Sequence, residues 1–162
     1  MKLSLDISSP SCLWRGLPRA RALARETIAA CVGESGFAAP AGLEVSLCLT
    51  DDAEVRRLNA RWRGIDEPTN VLSFPAAPAE RASDAPMLGD IALAYETLAR
   101  EAEESGASLA DHYRHLVAHG FLHLIGYDHQ TAKEADRMEE LETRILAKLG
   151  VADPYAEGVV ER

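Results

Sequence analysis

The chain has 162 residues, 47% of them hydrophobic and 27% charged, with a net charge of −9. That length suits one folded domain with a sizeable core, and the balance is that of an ordinary soluble protein. So acidic a chain is a poor candidate for broad nucleic-acid binding, because clustered cations supply most of that affinity.

Any polyanion must therefore meet a local patch. Residues 1–80 hold 9 Lys/Arg against 10 Asp/Glu, whereas residues 81–162 hold 8 against 16. The densest basic stretch is Arg56, Arg57, Arg61 and Arg63, which composition alone explains equally well as a solvated helix face. Cys12, Cys31 and Cys48 are odd in number and form no CxxC pair, so they read as buried thiols in a reducing compartment. The N-terminus lacks the apolar core of a secretory signal, and no stretch approaches the ~20 apolar residues of a membrane span. The expectation is a cytoplasmic protein without a membrane partner.

In chain order, the alternation of residues 2–7 predicts a strand. Ala20, Leu23, Ala24, Ile28 and Cys31 recur at helical spacing, which predicts a helix over about 18–32 closed by Gly33. Leu43, Val45, Leu47 and Leu49 alternate with polar neighbours as a half-buried strand. Thr50 or Asp51 caps the next helix, whose Val55, Leu58 and Trp62 share a face. Thr69–Phe74 reads as a short strand stopped by Pro75, and 75–87, with three prolines, as an exposed loop. Leu88–Ala94 is the next strand and 95–105 a helix ending at Gly106. Ser108 caps a helix over 109–125. Thr131 and Glu134 form a capping box for the last helix, lined by Ala135, Met138, Leu141, Ile145 and Leu149 and closed by Gly150. About four strands with about five helices predict a single α/β (α+β) layer domain spanning 1–162.

The chemistry concentrates in His119–His129. Residues four apart on a helix lie about 40° apart around the axis and roughly 6 Å along it, so His119 and His123 reach one ion. Gly126 permits a positive-φ turn, and His129 returns as a third nitrogen. Three protein ligands leave a fourth tetrahedral position open, the arrangement of catalytic zinc. On the helical wheel, Leu109, Tyr113, Leu116, Val117, Gly120 and Leu124 form the apolar face. His112, His115, His119 and His123 occupy an arc of about 80° at its edge. His112 and His115, further back on that stripe, read as structural or surface residues. The spacing matches that of metzincin proteases, but Gly120 stands where their general-base glutamate would be. Metal-assisted hydrolysis is therefore expected, and peptide hydrolysis is not.

Arg63-Gly-Ile-Asp66-Glu-Pro68-Thr69-Asn70-Val71-Leu72-Ser73-Phe74-Pro75, Leu88-Gly89-Asp90-Ile91, the His119–His129 run and Asp153-Pro154-Tyr155 together resemble the YbeY family of bacterial rRNA maturation factors. The resemblance spans roughly residues 43–155. It implies a metalloprotease-like core and a zinc-dependent, single-strand-specific endoribonuclease with one zinc ion per chain. The implied role is in small-subunit rRNA 3′-end maturation and ribosome quality control, with RNA and the small ribosomal subunit as partners. Carried over, His119, His123 and His129 are the metal ligands and Arg63 a catalytic residue on the phosphate. For Asp128, orienting an imidazole, taking a proton and shaping the turn are all open. Asp66 and Asn70 are expected to shape the turn around Pro68, and Leu72, Phe74 and Ile91 to be core. Two other readings remain: a metallohydrolase of another class, and a non-enzymatic ribosome-assembly factor with structural zinc.

Overall fold

The computed structural model describes residues 2–84 and 86–156, so the ends of the expected 1–162 domain lie outside the described residues. The chain runs β1 (Lys2–Ser8), a 3-10 turn (Cys12–Gly16), α1 (Ala20–Ser35), β2 (Gly42–Thr50), α2 (Asp52–Arg63) and β3 (Val71–Pro75). A second 3-10 turn (Ala79–Arg81), β4 (Met87–Ala94), α3 (Tyr95–Ser105), α4 (Leu109–Leu124) and α5 (Ala132–Lys148) follow. The strands form one mixed sheet in the order β1-β2-β4-β3. β1 and β4 run parallel to β2, and β3 is antiparallel on the β4 edge. The α/β (α+β) architecture of four strands and five α-helices is the one expected from the periodicities.

Alternation decides which face each strand buries. Leu43, Val45, Leu47, Leu49, Ile91 and Leu93 join Leu23 and Ile28 of α1, Phe121 of α4 and Ile145 of α5 in the main core. The opposite face carries α2, where Val55 packs on Leu72, Ala92 and Ala94. Buried aromatic groups keep their polar ends paired, as burial demands. Trp14 Nε1 donates to the Thr50 carbonyl at 2.8 Å, and the Tyr113 hydroxyl donates to the Ala20 carbonyl at 2.9 Å. The second bond ties α4 to the start of α1.

Caps fix most boundaries. Of the two candidates for α2, Asp51 is the cap, accepting from Glu54 N. α3 has no cap of its own. The Asp52 carboxylate accepts from Thr97 N and Oγ1, while Glu96 accepts from Asp52 N. The two helix starts thus satisfy each other's orphan N–H groups. The Ser108 cap and the Thr131–Glu134 capping box stand as expected.

Four expectations need correction. α1 does not stop at Gly33 but runs to Ser35, with Gly36 at φ 69 as its left-handed cap. The apolar stripe ends at Cys31, yet the helix continues until the residue that can turn left-handed. Trp62 does not share the burial of Val55 but is 61% exposed, lining an open groove over the sheet with Cys48, Phe74 and Asp90. The segment 75–87 is not wholly exposed loop, since it holds the 3-10 turn at Ala79–Arg81 and buries Ala82. Cys31 is buried, Cys48 is half-buried and Cys12 is exposed, the neighbouring Trp14 filling the interior instead.

A helical, exposed glycine with nothing within 4 Å of a built Cβ offers a direct test at Gly33. Gly33→Ala is expected to raise unfolding stability by about 0.5–1 kcal/mol, because alanine loses less backbone entropy in a helix. Urea denaturation reads this, and an unchanged or lower midpoint would contradict an α1 that continues through Gly33 to Ser35.

Candidate metal centre

The fold places α4 against the inner face of β3 and β4, and Gly120 is where they meet. A Cβ there would fall 3.1 Å from Ile91 Cγ2, 3.2 Å from Ser73 Oγ and 3.3 Å from Val71 Cγ2. Ser73 Oγ also donates to the Gly120 carbonyl at 2.9 Å. Position 120 therefore faces the sheet. A glutamate here would drive its carboxylate into packed strands rather than present it to an ion.

The next positions on the helix turn outward. His119 and His123 are half-buried, at the margin of the apolar face. Their Nε2 atoms lie 3.1 Å apart. α4 then ends in a Schellman turn, with Tyr127 N donating to Leu122 O and Gly126 N to His123 O. Gly126 adopts φ 106, and a Cβ on it would lie 2.7 Å from Ala79 Cβ, so the exit rests on the 3-10 turn at Ala79–Arg81. The reversal brings back His129, whose ring centroid stands 5.5 Å from that of His119 and 5.0 Å from that of His123. Ligand nitrogens of the three histidines all fall within 4.8 Å of one another. Asp128 Oδ1 accepts from His129 N at 2.8 Å, so among its open roles the turn-shaping one is realised.

The donor set fits a metal ion. Two nitrogens held at about 2.0–2.1 Å by one tetrahedral zinc lie about 3.4 Å apart, close to the separation of the two Nε2 atoms. Burial, with the nearby charges of His119 and His129, pushes His123 down to about 4, against weaker opposing effects of Asp128 and the Tyr127 backbone. Its imidazole is accordingly neutral near pH 7, the form that ligates.

A residue absent from the sequence reading completes the centre. Glu142 of α5 is wholly buried, and its Oε2 lies 2.7 Å from His119 Nδ1. Burial pushes this carboxyl up, but hydrogen bonds from His115 and His119 outweigh it and hold the group at about 2. An ionised Glu142 requires a proton on His119 Nδ1, which leaves Nε2 free toward the other rings. Helical periodicity could not single out Glu142, because it adjoins Leu141 on a helix rich in acidic residues. The structure removes His112 and His115 from the ligand cluster. His112 Nε2 pairs with Glu101 Oε1 at 2.8 Å, and His115 Nε2 lies 2.9 Å from Glu142 Oε1.

Arg63 ends α2 before the left-handed Gly64. Its Nη2 donates to the Ser73 carbonyl at 2.7 Å, and its guanidinium carbon lies 5.7 Å from the Phe74 ring centre. Through Ser73 this edge strand is joined to Gly120, next to His119. The remainder of the basic stretch divides in two. Arg56 is held bidentately by Asp66 and Arg57 by Glu54, whereas Arg61 lies over the Trp62 ring. Among the described residues Arg61 and Arg63 have no carboxylate partner. Asp66 and Asn70 shape the loop as expected: Asp66 ties it to α2, and Asn70 donates to Glu101. Leu72 and Ile91 are core, and Phe74 is half-buried.

A helix laid across a mixed sheet, with three imidazoles gathered at its exit, defines an α/β protein with a histidine centre able to bind a metal. The endoribonuclease YbeY family matches residues 16–150. The chain belongs to that family. It is 47% identical over 157 residues to the endoribonuclease YbeY of Methylocella silvestris, covering 97% of this chain and 88% of the relative. It is 61% identical over 120 residues to that of Rhodopseudomonas palustris strain BisA53, covering 72% and 70%. The solution structure of TM1509 from Thermotoga maritima shares the fold with a TM-score of 0.57 at 21% identity, covering 98% of this chain and all of that one. No helix among the described residues is long and apolar enough to cross a membrane.

Proposed function

We propose that the protein is a zinc-dependent, single-strand-specific endoribonuclease that matures rRNA in the cytoplasm. Its sites of action are the 3′ end of small-subunit rRNA and ribosome quality control on the small subunit. One observation carries this reading: three imidazoles converge within 4.8 Å, and no fourth His, Cys, Asp or Glu joins them among the described residues. Structural zinc takes four protein ligands, whereas catalytic zinc keeps a position for water or substrate. Membership of an endoribonuclease family supplies the substrate class.

His119, His123 and His129 would hold one zinc ion. When bound, zinc supplies a Lewis acid for a phosphoryl oxygen and water acidified to a pKa of about 7. Glu142 keeps the Nδ1 proton on His119, so that the Nε2 lone pair stays directed at the ion. Arg63 has spent one of its five N–H donors on Ser73 and keeps the rest for the phosphodiester, which its planar fork suits better than an ammonium. Gly120 argues against the peptidase alternative, since the packing leaves no room for the protease base.

The test compares zinc-loaded and chelator-stripped protein on single-stranded and duplex RNA. Cleavage of the single strand is expected with zinc, and its loss on stripping and recovery on readdition. Cleavage that survives complete metal removal would overturn the reading.

A further inference from the structure

Among the described residues Glu142 is the only wholly buried carboxylate, and its partners are unusual. Oε2 faces His119 Nδ1, while Oε1 is shared by His115 Nε2 at 2.9 Å and the Tyr155 hydroxyl. Tyr155 comes from the turn after α5, part of the Asp153-Pro154-Tyr155 motif that the catalytic reading leaves unused. That turn is itself built. Asp153 Oδ1 accepts from Tyr155 N at 2.8 Å and lies 3.2 Å from the Thr143 hydroxyl on α5, and Val151 N donates to the Leu146 carbonyl. Tyr155 also sets its ring edge-on to His115, with centres 5.5 Å apart.

A carboxylate joined to its chain by a single bond can rotate, and a buried one settles where its donors hold it. Two donors on Oε1 fix that rotation and leave Oε2 aimed at His119. Tyr155 thus sits three links from the ion, through Glu142 and His119, without touching the centre.

We propose that the Asp153–Tyr155 turn is a clasp that sets metal affinity, with Tyr155 the positioning residue that orients Glu142 against His119. The clasp rests on the metal reading above, and its test separates the two. Zinc dissociation constants are measured on the full chain by chelator competition, together with the visible absorption of the cobalt-substituted protein. Glu142→Gln is expected to weaken zinc binding by roughly 10–100-fold, as loss of a ligand's outer partner does. Tyr155→Phe removes the hydroxyl that meets both Glu142 Oε1 and His115 Nε2, and is expected to weaken zinc binding roughly 3–10-fold, with a shifted cobalt spectrum. Asp153→Ala, which contacts neither Glu142 nor a histidine, should move both readouts in the same direction by releasing the turn.

A merely structural tyrosine would lower the melting temperature of metal-free protein yet leave zinc affinity and the cobalt spectrum unchanged. That result overturns the clasp and leaves the metal reading standing. Wild-type protein that binds neither zinc nor cobalt overturns the metal reading itself.

Discussion

His119→Ala and His129→Ala are both expected to abolish detectable zinc binding near micromolar metal and to lower RNA cleavage by at least on the order of 10³-fold. They should differ in stability. His129 is exposed on the exit turn and its ring packs mainly on the other ligands, so its loss leaves the fold intact. His119 is one of three donors to a buried, ionised carboxylate. Removing it leaves part of Glu142 unsatisfied, at about 1–3 kcal/mol. Metal analysis, single-turnover cleavage and urea unfolding of both variants read the pattern. Equal stability of the two would mean that Glu142 does not depend on His119, and retained cleavage in either would remove the three-histidine centre from the mechanism.

Arg63→Ala is expected to lower kcat/KM for single-stranded RNA by about 10²–10³-fold, equivalent to about 3–4 kcal/mol of transition-state stabilisation, while zinc content stays at the wild-type level. Arg63 is anchored by a carbonyl and an aromatic ring, and no acidic side chain neutralises it among the described residues. Arg56 and Arg57, already spent on Asp66 and Glu54, serve as internal controls, and alanine at either should change cleavage by less than about tenfold. Arg63→Lys should recover only a small part of the loss, because an ammonium cannot reproduce the fork on both a phosphate and Ser73. Wild-type cleavage by Arg63→Ala would leave Arg63 as a fastener between α2 and β3.

The elements were legible in the sequence because periodicity and caps agree along most of the chain. Leu43–Leu49 alternate, Ser108 and Thr131 mark helix starts, and the four-histidine stripe lies at the margin of α4's apolar face, where the wheel puts it. Two kinds of information were not legible. Periodicity reports which residues share a face but not what covers that face, so Trp62 keeps step with Val55 and still stands exposed over an open groove. It also cannot rank two glycines, and α1 passes Gly33 to end at Gly36. The site followed the same division. Its three clustered histidines lie close in sequence, and their convergence was readable from spacing. Glu142 lies 23 and 27 positions from His119 and His115, and Tyr155 lies 40 from His115, and a lone acid on an acidic helix gives no sign of burial.

The proline- and alanine-rich stretch between β3 and β4 passes for filler when read as sequence. Ala79 nevertheless packs so closely on Gly126 that a Cβ added there would meet it at 2.7 Å, and Gly126 lies on the turn that returns the third imidazole. Lengthening or trimming that stretch is expected to displace the turn that carries His129, and so to change metal affinity although none of the three histidines is substituted.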